Sequence, residues 1–378
     1  MNKKLIALAL AALPVAHAMA DVTIYGTIEA DMESSKTYAN GVKNTSGQLK
    51  AGTRIDDTGS LIGFKGNEDL GNGLKAIWQV EQGLNIDGTT GATSGNGYGN
   101  TFATRDSFVG LQGAFGKVRL GKLSTFLNSD AGAPDAWIYG NKGVNGLSYS
   151  SINQLDGRVN NAIRYDIPEF VTGLTGAVLY GVDETRSTTA IPGQTQNKQV
   201  ISVGASYTNS GFFGTFGYNR FSDDIVSGTS FKGGNYWRFE GGYNANNILA
   251  AVYYGQSRLA VGDGSTGTDG TFSSLFSAGV TPFTTGAELK KKEGGLTVGY
   301  TIGAITPRFS YGRVWGATVA GADVNGHLNQ YVLGADYALS KRTTAYASYG
   351  YVQDTFQDSL NNKYSSEHTV AVGVQHKF

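Results

Sequence analysis

The chain ends Ser365-Ser-Glu-His-Thr-Val-Ala-Val-Gly-Val-Gln-His-Lys-Phe378, and this stretch decides the fold. At period two, Val370, Val372, Val374, His376 and Phe378 share one face, while Glu367, Thr369, Ala371, Gly373, Gln375 and Lys377 share the other. A strand that is apolar on one side and small or polar on the other separates two environments. As a terminal strand it is also an edge, and an unpaired edge templates aggregation. The edge disappears if this strand pairs with the first strand of the mature chain and closes a barrel. With Phe378 at one rim and Asp21 as the new N-terminus, the terminal carboxylate and amine are expected to pair.

The same alternation runs upstream. Val22, Ile24, Ile28 and Ala30 oppose Thr23, Tyr25, Thr27, Glu29 and Asp31. Ile62 and Phe64 oppose Leu61, Gly63 and Lys65; after the turn Asp69-Leu-Gly-Asn-Gly73, Leu74, Ala76, Trp78 and Val80 oppose Lys75, Ile77, Gln79 and Glu81. Two alternating segments around an Asn-Gly turn make a hairpin. Strands are expected at 22–31, 60–68, 73–83, 103–112, 116–124, 159–167, 173–183, 198–208, 211–222, 234–244, 247–258, 291–302, 305–315, 328–339, 342–353 and 366–378. Short connections alternate with long ones (32–59, 84–102, 125–158, 259–290), as a barrel with a cramped rim and an open rim requires. A tilted membrane strand needs ~9–11 residues, and bacterial barrels have even strand numbers. The expected fold is therefore all-β: a sixteen-stranded antiparallel transmembrane barrel, one domain over residues 21–378.

Composition agrees. Gly is abundant (55), Pro scarce (6), and Tyr and Phe frequent (21 and 18), without collagen or low-complexity periodicity. The absence of Cys excludes disulfides and thiolate metal sites. Residues 1–20 read as a secretory signal peptide: Lys3 and Lys4, an apolar Leu5 to Val15, then Ala18-Met19-Ala20 before the cut. Removing them leaves 28 basic against 30 acidic residues, a balance that does not favour nucleic acid. Mean hydropathy is slightly negative, at −0.21, but alternating barrel strands average to neutrality. Phe108, Phe115, Phe170, Tyr180, Tyr207, Phe212, Tyr218, Phe221, Tyr243, Tyr337, Tyr346 and Phe378 fall near strand ends, as membrane-interface girdles require; the bland alternative is that aromatics form good strands.

The long connection 125–158 carries Trp137, Ile138, Tyr139, Leu147, Tyr149, Ile152 and Leu155. It is too apolar for a solvated loop, and the barrel interior is where it can pack.

Several stretches resemble the trimeric general porins of Gram-negative bacteria, in the β-proteobacterial branch that includes the neisserial porins. They are Val22-Thr-Ile-Tyr-Gly-Thr27, Gly63-Phe-Lys-Gly-Asn-Glu-Asp-Leu-Gly-Asn-Gly-Leu-Lys-Ala-Ile-Trp-Gln79, Arg105-Asp-Ser-Phe-Val-Gly-Leu111, Phe115-Gly116, Asn161-Ala-Ile-Arg-Tyr165 and Pro168-Glu-Phe170, in that order along the chain. The resemblance implies a homotrimer of water-filled pores, with long extracellular loops, short periplasmic turns and a third loop folded inward to narrow each pore. It implies basic wall residues (here Arg105, Arg119, Lys122 and Arg164) facing acids of the third loop, for which Asp130, Asp135 and Asp156 are available. Phe378 resembles the terminal signal read by the outer-membrane assembly machinery. Related sequences often carry Arg at the position of Leu61, so any anion preference is expected to be mild, with Lys65 as a partial substitute.

A constriction lined by fixed charges sorts solutes by size and sign; the bland alternative for each Arg is a solvated residue paired with a neighbouring carboxylate. Other motifs are weaker. Gly71-Asn-Gly73-Leu-Lys-Ala76 fits a dinucleotide fingerprint but leads into a strand rather than a helix. Gly262-Asp-Gly264 to Asp269-Gly270 lacks EF-hand spacing. Lys290-Lys291-Lys292 reads equally as a contact for lipopolysaccharide phosphates or as a solvated patch. No Ser/His pair falls in register for catalysis, so no enzyme and no cofactor are expected. The leading function is passive diffusion of ions and small hydrophilic solutes across the outer membrane. The alternatives are a substrate-specific channel and a β-rich adhesin or binding protein.

Overall fold

A computed structural model describes residues 21–39, 42–43, 52–57, 59–88, 102–138, 145–147, 152, 157–182, 199–222, 224–226, 229–231, 233–261, 268–269, 287–356 and 365–378. The proposed signal peptide lies outside the described residues.

Tight turns set the register. Asn72 and Gly73, Ser210 and Gly211, and Asn246 and Asn247 all have positive φ, the two-residue type I′ geometry whose twist matches that of paired strands. Sixteen long strands follow one another: β1 (Asp21–Ala39), β2 (Leu61–Gly71), β3 (Leu74–Gly83), β4 (Ser107–Gly113), β5 (Gly116–Ser124), β6 (Arg158–Asp166), β7 (Leu174–Gly181) and β8 (Val200–Asn209). The second half is β9 (Phe212–Phe221), β10 (Gly234–Ala245), β11 (Ile248–Val261), β12 (Glu288–Tyr300), β13 (Ile305–Val319), β14 (His327–Ala338), β15 (Thr343–Asp354) and β16 (Ser365–Lys377). Each pairs antiparallel with its sequence neighbours, and β1 pairs with both β2 and β16, so the sheet closes. A short strand, Gly52–Asp56, extends the β2 side of β1.

The closing register corrects one expectation. Thr27 lies opposite Lys377, and Gly26 and Phe378 exchange backbone hydrogen bonds of 3.1 Å in both directions. Asp21 pairs with Asn67 on the other side of β1, five residues of extended chain from Gly26, or about 16 Å at strand rise. The seam is closed by backbone exchange at Gly26, not by a contact between Asp21 and the terminal carboxylate.

Alternation sorts the wall as expected. Val22, Ile24, Val109, Leu120, Val372 and Val374 are exposed on the outside, while Glu29, Asp31, Glu367 and Thr369 are buried within. Phe115, Phe170, Phe212 and Tyr337 are exposed girdle rings. Three aromatics depart from that role. Tyr346 turns inward and donates to Glu29 at 2.6 Å, Phe221 is buried, and Phe108 lies beneath the Arg119 guanidinium. β1 runs well beyond residue 31 because Glu33, Ser35 and Thr37 continue the inward row opposite Ser34 and Lys36. With both faces polar, that extension has no hydrophobic period to reveal it.

Candidate functional site

The connection after β5 turns into the barrel through α1 (Phe126–Ser129). Two inward wall glycines make room for it. A Cβ at Gly204 would sit 2.1 Å from the Phe126 ring, and one at Gly217 would sit 2.4 Å from Leu127. Phe126 and Leu127 are accordingly about 1% exposed, and the Phe126 amide donates to Ser202 Oγ at 3.2 Å. Backbone approach this close requires residues without side chains.

From α1 the loop steps around the inner wall. The Gly132 and Ala133 amides donate to Glu240 Oε2 at 2.8 and 3.2 Å. The Pro134 carbonyl accepts from Thr297, Trp137 Nε1 donates to Ser310 Oγ at 2.8 Å, and Gln330 donates to the Gly146 carbonyl at 2.6 Å. Leu147 and Ile152 pack on Tyr253. Polar anchors therefore come from β10, β12, β13 and β14 in turn, with β11 supplying the apolar contact. Each satisfies a loop group that water would otherwise have to reach.

Arg164 fastens the near end. It is 2% exposed, and its Nη2 meets Asp130 Oδ2 at 2.6 Å. Nη1 donates to Ser129 Oγ at 2.7 Å and the Ser124 carbonyl at 2.8 Å, and Nε donates to Asp166 at 3.0 Å. Arg238 is equally buried on the other side of the same segment, held by Glu240 at 2.8 Å and by the Tyr236 hydroxyl at 3.0 Å. Tyr236 in turn donates to Glu293 at 2.7 Å.

The expected charge array is thereby redistributed. Arg164 and Asp130 touch; they do not face one another across open lumen. Asp135 accepts the Leu147 amide at 2.8 Å and braces the loop itself. Asp156 lies outside the described residues, as do Tyr139, Tyr149 and Leu155. Arg105 pairs with Glu81, which also accepts from Tyr25 at 3.0 Å. Arg119 reaches Asp166 at 2.7 Å with its guanidinium over Phe108. Lys65 is exposed, 5.0 Å above the Tyr25 ring. Lys122 leaves the row: at the bulge between Gly121 and Leu123 it pairs with Ser107, on the parity of exposed Val109 and Leu120, with Arg158 and Asp106 as its charged neighbours. Its offset of three from Arg119 already sets the two on opposite faces at period two, so the motif, not the alternation, put it in the row.

Lys65, Arg105, Arg119 and Arg164 thus form one inward cationic stripe on β2, the approach to β4, β5 and β6, opposed locally by Glu81, Asp130 and Asp166. The second clamp, Arg238 with Glu240, is one that sequence reasoning missed. Arg238 and Glu240 did carry a signal, since they share a face between outward Trp237 and Phe239.

The family profile described as Gram-negative porin matches residues 5–357. The major outer membrane protein P.IB of Neisseria lactamica is 38% identical with all of both chains covered, and that of Neisseria meningitidis 37% identical over the same full spans. Among solved structures, the anion-selective porin from Comamonas acidovorans overlaps with a TM-score of 0.69 at 20% identity, covering 95% of this chain and 100% of that one. The trimer form of OmpT from Vibrio cholerae gives a TM-score of 0.62 at 16% identity, covering 95% of this chain and 99% of that one. With a closed sixteen-strand barrel, an apolar outer wall and a loop folded into the lumen, the chain belongs to the Gram-negative porins and is a channel protein of the outer membrane.

Proposed function

We propose that the docked third loop is the size filter of a passive channel with a mild anion preference and no covalent chemistry. The observation that carries this reading is the pair of clamps on residues 129–133 of the loop. Arg164 and Glu240 hold loop backbone and side chains against the wall at 2.6 to 2.8 Å, so the loop narrows the lumen as a fixed ledge.

Sign follows from bookkeeping along the stripe. Arg105, Arg119 and Arg164 each have a carboxylate partner, whereas Lys65 is exposed and has none within ion-pair distance among the described residues. The acids of the adjoining strand β1 and its short extension, Glu29, Asp31, Glu33 and Asp56, are all at most 3% exposed, whereas Lys65 is open to the lumen. An unpaired charge at a narrowing bordered by low-dielectric wall acts over about 10 Å at 0.1 M salt.

The channel functions as a homotrimer in this reading, and Phe378 serves as the terminal signal for the assembly machinery. Full-length likeness to major outer membrane porins supports both. Planar-bilayer recording tests the filter: conductance is expected in discrete steps, falling sharply when neutral polymers exceed a threshold size. Conductance that saturates and is competed by one particular solute would instead mark a substrate-specific channel.

A further inference from the structure

On the outer wall, away from the pore, the register assembles a cluster of cations that the channel function does not use. Of the three consecutive lysines, Lys291 is 5% exposed and points inward, whereas Lys290 and Lys292 point outward. Arg258 on β11 lies directly opposite Lys290, and Gln256 lies opposite Lys292. Arg313 on β13 faces Gly294, two residues along the same outward row of β12 as Lys292. Four outward cations therefore share three adjacent strands.

Like charges directly opposite one another destabilise a sheet, and one acid answers them. Glu288 reaches Arg258 at 2.6 Å and Lys290 at 3.0 Å. Lys292 and Arg313 have no carboxylate within ion-pair distance among the described residues. The surroundings set the depth. Trp237, Tyr254 and Trp315 form a contiguous band of rings with centroids 5.5 and 6.0 Å apart, and Gln256 donates to the Tyr254 hydroxyl at 2.5 Å. Below them the outer wall is apolar, with Val252, Leu296, Val298 and Phe309 exposed. Rings with a polar edge occupy the headgroup level. The cations thus stand at the headgroup level, on the rim that carries the long connections.

We propose that Arg258, Lys290, Lys292 and Arg313 bind the phosphates of a phosphorylated glycolipid of the outer leaflet. Its acyl chains lie along Val252, Leu296 and Phe309, and its phosphates complete the charge balance that Glu288 leaves unfinished. Lys292 and Arg313 carry the excess charge.

The test compares the wild-type barrel with a Lys292→Gln/Arg313→Gln variant in zwitterionic micelles. Bis-phosphorylated lipid A is titrated against the fluorescence of Trp237 and Trp315. At ~1 kcal/mol for each basic residue at an anionic surface, losing two weakens binding by about thirtyfold. Single-channel conductance remains unchanged, because neither residue faces the lumen, and this control shows that the variant has folded. Equal affinity of the two proteins for bis-phosphorylated lipid A overturns the proposal. Equal affinity of the wild type for phosphate-free lipid A also overturns it, by making the contact purely apolar. So does displacement of the lipid by inorganic phosphate at comparable concentration, which marks a free-anion site. A change of oligomeric state with no change in lipid affinity overturns it in favour of a contact between copies of this chain.

Discussion

Replacing Arg164 with Met should release the near end of the constriction loop while leaving the barrel intact. Arg164 is 2% exposed and makes four polar contacts, one to Ser129 of α1, one to Asp130 just after it, and two to Ser124 and Asp166. Removing one partner of a buried ion pair costs about 3–5 kcal/mol. Two features lower that figure here. Asp166 keeps Arg119 at 2.7 Å, and the Asp130 side chain is 31% exposed, so water reaches it once Arg164 is gone. A net loss of about 2–3 kcal/mol remains, which multiplies the undocked population about 30- to 150-fold. The chain lacks Cys, so a single Leu127→Cys reporter can be labelled without background. Leu127 is about 1% exposed, and a membrane-impermeant maleimide reaches it only when the loop lifts. The labelling rate in the Arg164→Met background should rise by that factor over the Arg164 background, with noisier open-channel current. Labelling rates within twofold of each other, with equal noise, would refute the clamp.

Other perturbations probe the remaining contacts. Gly204→Val places a side chain where the Phe126 ring sits, 2.1 Å from the Cβ position; overpacking of about 1–3 kcal/mol should push α1 into the lumen and lower single-channel conductance. An unchanged conductance would mean that α1 does not rest there. Glu240→Gln leaves the Arg238 cation buried without its carboxylate and should destabilise by about 3–5 kcal/mol, with partial recovery on adding Arg238→Met. Thermal unfolding in detergent reads both, and strict additivity would count against a coupled clamp. Deleting Phe378 removes the reciprocal backbone bonds to Gly26, about 1–3 kcal/mol in all. The heat-modifiable barrel band should then convert at lower temperature; an unshifted band would show that the seam does not depend on it.

Much of the barrel was legible because alternation is local. Val370, Val372 and Val374 against Glu367, Thr369 and Ala371 report a two-environment strand whatever the rest of the chain does, and Asn72-Gly73 announces its turn unaided. Legibility failed where both faces are polar: the stretch from Glu33 to Ala39 hid half of β1. Lys122 was a failure of the motif and not of alternation, since its offset of three from Arg119 already sets it on the other face. The site was less legible than the fold, for a physical reason. Lumen orientation follows from period two, but whether an inward Arg is solvated or buried depends on what the third loop brings to it. Period two turns Arg164 inward, yet its contacts as an anchor exist only once Ser124, Ser129 and Asp130 are folded back upon it. Gly204 and Gly217 look like any other strand glycines until α1 occupies the space above them.

The most direct test is the reversal potential of the reconstituted channel in a roughly tenfold KCl gradient, with about 0.1 M on the dilute side so that a wall charge acts over ~10 Å. A cationic stripe with Lys65 as its exposed, unpaired member predicts a modest potential of the sign for anions in the wild type, abolished or inverted by Lys65→Glu. A cation-selective wild type, or a Lys65→Glu channel with the wild-type potential, would contradict the account.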